Sequence, residues 1–352
     1  MSRSVLPRSL PSVITIRRLN PYDDAEFAAF HAAYNAADSF ERPHAATWSI
    51  EELVIPLRRK GVDSDHYGLI AQDGDDVVGV AMLELPLTDN LELADVGVWV
   101  PPKHRRRGIG TALARQIAVD LRQRGRTKWI CMVAGPPYDQ PDDTLMPGEA
   151  FAARFGLTLR QREVQRRMSL PAPVERLDAL ARDAASHHGD YRLERWIDAC
   201  PEEYVEAYCA LKSAMVDEMP RDDLDIESEK WDAERLRDFE AAYMAQDRTR
   251  YVYVAVAPDG SIVAQTELLV PTHDPELMYQ WDTLVLPGHR GHRLGMALKV
   301  ANLAWVQAEH PKRKVVRTWN AATNGPMIAV NEAMGFVPVE YEGTWQGDVP
   351  RE

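Results

Sequence analysis

Residues 99–113, WVPPKHRRRGIGTAL, recur in looser form 185 positions later as LVLPGHRGHRLGMAL at 284–298. In both copies an apolar, strand-like run stops at proline, passes a basic glycine-bearing turn and enters an amphipathic helix. Such a turn presents unpaired backbone N–H groups and the positive end of a helix dipole, beside arginines, to a single anionic group. A diphosphate meets that description. The chain must therefore fold so that two equivalent strand–turn–helix units exist, of which one or both face a ligand.

The offset extends beyond the turn. A strand ending at Pro86 has its counterpart in one ending at Pro271, again 185 positions on. Strand-like openings at 13–19 and 191–197 each precede a helix-like stretch, at 21–37 and 201–218. At 352 residues the chain suits two domains. The expected division is 13–170, a linker at 171–190 and 191–345. Prolines at 171 and 173 close the first half, a helical patch covers 174–185, and Ser-His-His-Gly-Asp breaks it. The helices after the turns carry apolar residues at sheet-packing spacing, Leu113, Ile117 and Leu121 in one, Leu294 and Leu298 with Ala301 and Trp305 in the other.

A net charge of −13 argues against nucleic acid as a partner, because phosphate backbones demand a basic footprint. It suits a cationic substrate, and equally plain solubility. No apolar run approaches the roughly 18 residues of a membrane span, and the basic N-terminus lacks a signal core, so a cytoplasmic location is expected. Cys131, Cys200 and Cys209 have no metal or redox spacing, and the histidines do not cluster; no metal is expected.

The usual phosphate-binding rivals are missing. Gly108 and Gly110 lack the third glycine of a dinucleotide fingerprint, and no Walker A sequence occurs. What remains, Arg105-x-x-Gly108-x-Gly110 opening a helix after a proline bend, resembles the coenzyme A diphosphate loop of the GNAT superfamily (GCN5-related N-acetyltransferases). The resemblance covers both halves. Residues 318–336 and, more thinly, 151–157 are similar to that family's second motif. Mycothiol synthase has the same tandem layout. The resemblance implies two mixed α/β domains, each a mostly antiparallel, splayed sheet flanked by helices.

It also implies a site. In the second loop Arg290, Gly291, His292, Arg293, Leu294, Gly295 and Met296 would hold the diphosphate of acetyl-CoA. The edges of Leu284 and Val285 would pair with its pantetheine arm, helped by Asn324. In the first half the equivalents are Val98, Val100, Arg105, Arg106, Arg107, Gly108, Ile109, Gly110 and Thr111. Arg293 stands where the middle glycine belongs; it either adds charge or obstructs the backbone. The tyrosine that many relatives use as acid is replaced by Asn331 and, in the first half, Ala152.

Acetylating an amine requires a carboxylate to remove its proton, since an amine of pKa near 10 is protonated at neutral pH. Glu267 and Asp282 flank the expected thioester position; the first half has Met82 and Gly97 there. This contrast nominates the second half, with Asn331 positioning the thioester and Tyr341 as a candidate acid. Glu84, Glu92 and Asp95 would serve if the first half were the active one. Residues 217–240 hold eleven acids against four bases, either a cover for a cationic acceptor or a solvated face. The expected activity is direct acetyl transfer to a primary amine of a small cationic molecule. The alternatives are a coenzyme-binding regulatory module with degenerate sites and a protein-lysine acetyltransferase.

Overall fold

The computed structural model describes residues 14–140 and 145–351, so Val13, the preceding residues and 141–144 of the insert lie outside the described residues. The first half runs β1 (Thr15–Arg18), α1 (Asp24–Asp38), α2 (Ile50–Arg58), β2 (Ser64–Asp73), β3 (Asp76–Pro86), β4 (Leu93–Trp99), α3 (Ile109–Gln123), β5 (Lys128–Pro137), α4 (Pro147–Arg154) and β6 (Thr158–Ser169). Next comes α5 (Val174–Ala185), and then β7 (Arg192–Ile197), α6 (Val205–Ser213), α7 (Met215–Glu218), α8 (Ala233–Ala245), β8 (Arg248–Val256) and β9 (Ile262–Pro271). The chain closes with β10 (Leu277–Val285), α9 (Leu294–Glu309), β11 (Val315–Ala321), α10 (Gly325–Met334) and β12 (Val337–Asp348).

Local chemistry explains the element ends. Asp23 caps α1 by accepting from the amides of Ala25 and Glu26. Ser49 and Glu52 form a reciprocal capping box at α2, and the remaining Glu52 oxygen accepts from Arg248 Nε of β8 at 2.8 Å. One buried carboxylate thus ends a helix in the first half and neutralises a cation of the second.

All twelve strands join one mixed, mostly antiparallel sheet in the order β1-β2-β3-β4-β5-β12-β6-β11-β10-β9-β8-β7. The fold class is the α/β one expected from sequence. The parallel contacts are β4 with β5 and β10 with β11. Each pair is short: Leu93–Asp95 against Lys128–Ile130, and Leu277–Tyr279 against Val315–Arg317. Beyond those residues the strands part, leaving a V in each half whose inner backbone edges lack strand partners.

The strand order does not follow the 13–170 and 191–345 division. The final strand, β12, lies between β5 and β6, while β6 pairs with β11 of the second half. Each half therefore completes the other's sheet. Nor is 171–190 a tether: α5 packs on α9, burying Leu177 and Ala184.

The halves differ at one decisive place. In β10, Gln280 opposes Leu268 and Thr283 opposes Thr266, so Trp281 and Asp282 together face Glu267 in a β-bulge. The pairing of β3 with β4 runs without a shift from Val80/Trp99 to Glu84/Asp95.

Candidate active site

The two turns share one backbone. Positive φ occurs at Arg106 and Gly108 in the first and at Gly291 and Arg293 in the second, positions that correspond under the 185 offset. Arg293 therefore adopts the left-handed conformation that Gly108 takes freely, at a cost of roughly 1–2 kcal/mol. Its side chain turns to Asp183 of α5, 2.9 Å away. The motif's leading arginine is a staple in both copies: Arg105 Nε donates to the Val100 carbonyl at 3.0 Å and Arg290 Nε to that of Val285 at 3.1 Å. The amides and the α9 dipole, more than these side chains, are free to meet an anion.

What covers the turns is different. A Cβ built on Gly110 would lie 3.3 Å from the Phe151 ring of α4, which packs against the first turn of α3, while Gly108 meets nothing within 4 Å. Trp99 folds across Gly97, whose hypothetical Cβ would fall 1.9 Å from the indole. Before Gly295 the nearest atom is Val285 Cγ2 at 3.6 Å, with nothing else within 4 Å.

That open side is one wall of a cavity of about 920 Å³. Arg290, Gly291, Arg293, Leu294, Gly295 and Met296 line it, with Leu284, Val285, Asn324 and Asp282. The opposite wall comes from the first half and the exchanged strands. Ala321, Glu163, Glu342 and Ala134 stand in register across β11, β6, β12 and β5, side by side on one face. Trp48, Trp99, Trp281 and Trp319 enclose this row. Arg42, just after α1, bonds both oxygens of Glu340 (2.6 and 3.0 Å), Asp38 (3.0 Å) and Glu342 (3.3 Å). Burial, reinforced by Glu340 and Glu163, pushes the Glu342 carboxyl up to about 7 against the pull of Arg42. Burial also raises Glu163, which has no side-chain partner among the described residues.

The sequence-nominated residues divide. Asp282 sits in the bulge on the cavity wall, 3.4 Å from Lys212 Nζ. Burial pushes its carboxyl above the usual range; Lys212 opposes this and Glu267 adds to it. Glu267 is not on the cavity. It is fully buried, accepting from Tyr208 Oη at 2.7 Å and Lys212 at 3.2 Å, with Arg250 at 3.7 Å. Burial opposes its ionisation, but Lys212 and Arg250 hold it below the ordinary carboxylate range. Asn331 is buried, donating to Asn320 Oδ1 at 3.3 Å, and Tyr341 stacks with Tyr138; neither lines the cavity. His292 turns away to the His187 carbonyl. Asn324 caps α10, accepting from the Met327 amide at 3.3 Å, while still facing the cavity. None of Val98, Val100, Arg105, Arg106, Arg107, Gly108, Ile109, Gly110 or Thr111 lines it, nor do Glu84, Glu92 or Asp95.

The acidic stretch 217–240 mostly stitches the halves together. Arg235 meets Asp89 at 2.6 Å and Asp63 at 3.3 Å, Asp238 holds Arg59, and Asp225 holds Lys128. Only Glu218 of its acids reaches the cavity. Sequence reasoning did not nominate Glu163, Glu342, Trp281 or Lys299. For Glu163 and Glu342 the signal is register across strands distant in sequence, and for Lys299 it is a charge on the buried face of α9.

Comparison with known proteins agrees with this geometry. Residues 27–136 match the acetyltransferase (GNAT) family. The chain carries a GNAT-family acetyltransferase domain. Its enzyme class is accordingly acyltransferase, with acetyl transfer as the family's general reaction. The tandem GNAT protein from the clavulanic acid biosynthesis pathway is similar along its whole length, at 28% identity and a TM-score of 0.78, covering 97% of this chain and 100% of that one. A GCN5-related N-acetyltransferase from Sphaerobacter thermophilus shares the fold at 13% identity, TM-score 0.63 and 97% coverage of each chain. A putative acetyltransferase from Pyrococcus horikoshii does so at 14%, TM-score 0.52, covering 98% of this chain and 92% of that one. No curated protein sequence matches the chain. The family match lies in the first half, whereas the turn that lines the cavity, Arg290–Met296, belongs to the second. No helix among the described residues is long and apolar enough to cross a membrane, and no group of three or more metal-type side chains occurs among them.

Proposed function

We propose that this protein transfers an acetyl group from acetyl-CoA to a primary amine of a small cationic molecule, using the second half's turn and one coenzyme per chain. The observation that carries this reading is that the open turn and an acidic, tryptophan-rich wall share a single cavity. The slot before Gly295 fits the coenzyme: its nearest wall atom, Val285 Cγ2, stands at 3.6 Å, and the N-terminus of α9 points its amides there. Leu284 and Val285 pair with β9 on one edge only, leaving the other for an extended arm. The coenzyme supplies the electrophilic acyl carbon.

The remaining chemistry belongs to side chains. Asp282, held by Lys212 beside the slot, takes the ammonium proton through water and frees the attacking lone pair. Glu163, Glu342 and Asp38 attract the cationic acceptor, and the indoles face its charge. Glu267 acts at one remove, fixing Lys212 and through it Asp282.

The test is calorimetric titration of the full chain with coenzyme A, together with thiol release over a panel of amines. We expect one coenzyme per chain, loss of binding in Gly295→Phe, and a fall of about 10²-fold or more in kcat for Asp282→Asn. Two coenzymes per chain, or unchanged binding in Gly295→Phe, would overturn the assignment.

A further inference from the structure

Helix α9 carries, on the cavity wall, a buried cation that the proposed reaction does not use. Lys299 lies on α9, 1% exposed, and lines the cavity. Among the described residues its ammonium has no hydrogen-bond or ion-pair partner; it stands 5.6 Å from the centroid of the Phe336 ring. The other cavity cations are all engaged: Arg42 with Glu340, Arg290 with Glu218, Arg293 with Asp183. Nor do acids on the elements packed against α9 supply a partner. Asp183 of α5 faces Arg293, Glu332 of α10 faces Arg166, and Glu267 and Asp282 share Lys212.

A second polar group shares this wall. Thr318 is 4% exposed, lines the same cavity, and has no side-chain partner among the described residues. It is the first residue of β11 beyond the last pairing with β10, Tyr279 with Arg317, and so marks the apex. Alternation along β11 places it on the α9 face, opposite to the face that carries Trp319 and Ala321. Burying such groups without partners is costly, and the cost is recovered when a ligand satisfies them.

The ligand's orientation decides which of its atoms arrive there. The diphosphate belongs at the α9 N-terminus, and Lys299 lies five residues past Leu294, about 7.5 Å along the helix. The unpaired edge of β10 runs from Val285 back toward the apex, so the arm's far end, the acyl group, reaches deepest. We propose that Lys299 and Thr318 form an acyl pocket selecting thioesters whose acyl chain ends in a carboxylate, of the malonyl or succinyl class, over uncharged acyl chains of equal length. This inference rests on the reading of the second-half turn as the coenzyme site and narrows its preferred donor from acetyl-CoA to a thioester with a carboxylated acyl chain. Burial alone pushes the lysine down to about 7, so the empty pocket tolerates it as a neutral amine and an arriving carboxylate restores its charge.

The experiment compares dissociation constants of the full-length protein for succinyl-CoA against butyryl-CoA and for malonyl-CoA against propionyl-CoA, with free coenzyme A as the reference. We expect the carboxylated member of at least one pair to bind tenfold tighter or better. In Lys299→Met that ratio should invert, and in Thr318→Val it should shrink severalfold. The wild-type ratios need no variant, so a folding defect in Lys299→Met does not protect the idea. Equal or weaker binding of both carboxylated thioesters by the wild type overturns it, as does a preference that survives in folded Lys299→Met. Failure of coenzyme A itself to bind would instead bring down the coenzyme reading, and this inference with it.

Discussion

Glu267 and Asp282 share Lys212 yet belong to different problems, one of stability and one of chemistry. Glu267 is fully buried and pairs with two buried cations, Lys212 and Arg250. Removing its charge should cost roughly 1–3 kcal/mol in denaturant unfolding, because Lys212 is left with Asp282 alone and Arg250 with Glu240. An unchanged unfolding midpoint in Glu267→Gln, with kcat reduced, would show that Glu267 takes part in the chemistry directly. Glu342 gives a pH signature. With its pKa raised to about 7, it becomes anionic only above that value, so the KM for a cationic acceptor should fall as pH rises through 7. Glu342→Gln should flatten that profile. For stability the sign runs the other way: the folded chain keeps this proton up to about 7 while the unfolded chain releases it near 4.5. The contribution is complete below the unfolded value and is lost as pH rises through the folded one. Asp282 was legible from its place just before the loop strand. Glu342 was not, since nothing local distinguishes it from the neighbouring acids of β12.

At the scale of elements, the repeated strand–turn–helix was readable because glycine, proline and arginine enforce it locally. The helical patch at 174–185 was readable in the same way, and coincides with α5. Which turn is open was beyond sequence, because it depends on where α4 sets down Phe151 against Gly110. The half closer to the family pattern is not the one whose turn lines the cavity, so motif quality pointed away from it. The bulge in β10 was equally hidden, since one extra residue in a strand leaves no compositional trace. Strand β12 contributes pairing to both β5 and β6. Deleting residues 337–352 should therefore abolish cooperative unfolding of the whole chain rather than trim one half, as read by thermal circular dichroism. A cooperative transition surviving in the truncated chain would refute that dependence.

For the molecule as a whole, two repeats became one catalytic body. In the proposed reading the second half holds the coenzyme, while the first supplies Asp38, Arg42, Trp48 and Trp99 to the facing wall of the cavity. The buried Arg248–Glu52 pair and the Arg235 cluster bind the halves at their other contact. Segments 14–170 and 191–351, produced separately, should each fail to bind coenzyme A, and co-expression should restore one site per pair; binding by the isolated second segment would argue against the shared cavity. The internal repeat announced the two-unit ancestry in sequence. The exchange of strands could not be read there, because nothing local in β6 or β12 specifies which strands they pair with.

The placement of β12 also governs how the protein comes into being. During translation β5 and β6 emerge long before the strand destined to separate them, so the first half waits on the ribosome with an open seam. The first half's sheet is thereby completed only after β12 has been made, and any nascent chain released before it exposes two unsatisfied strand edges to quality control.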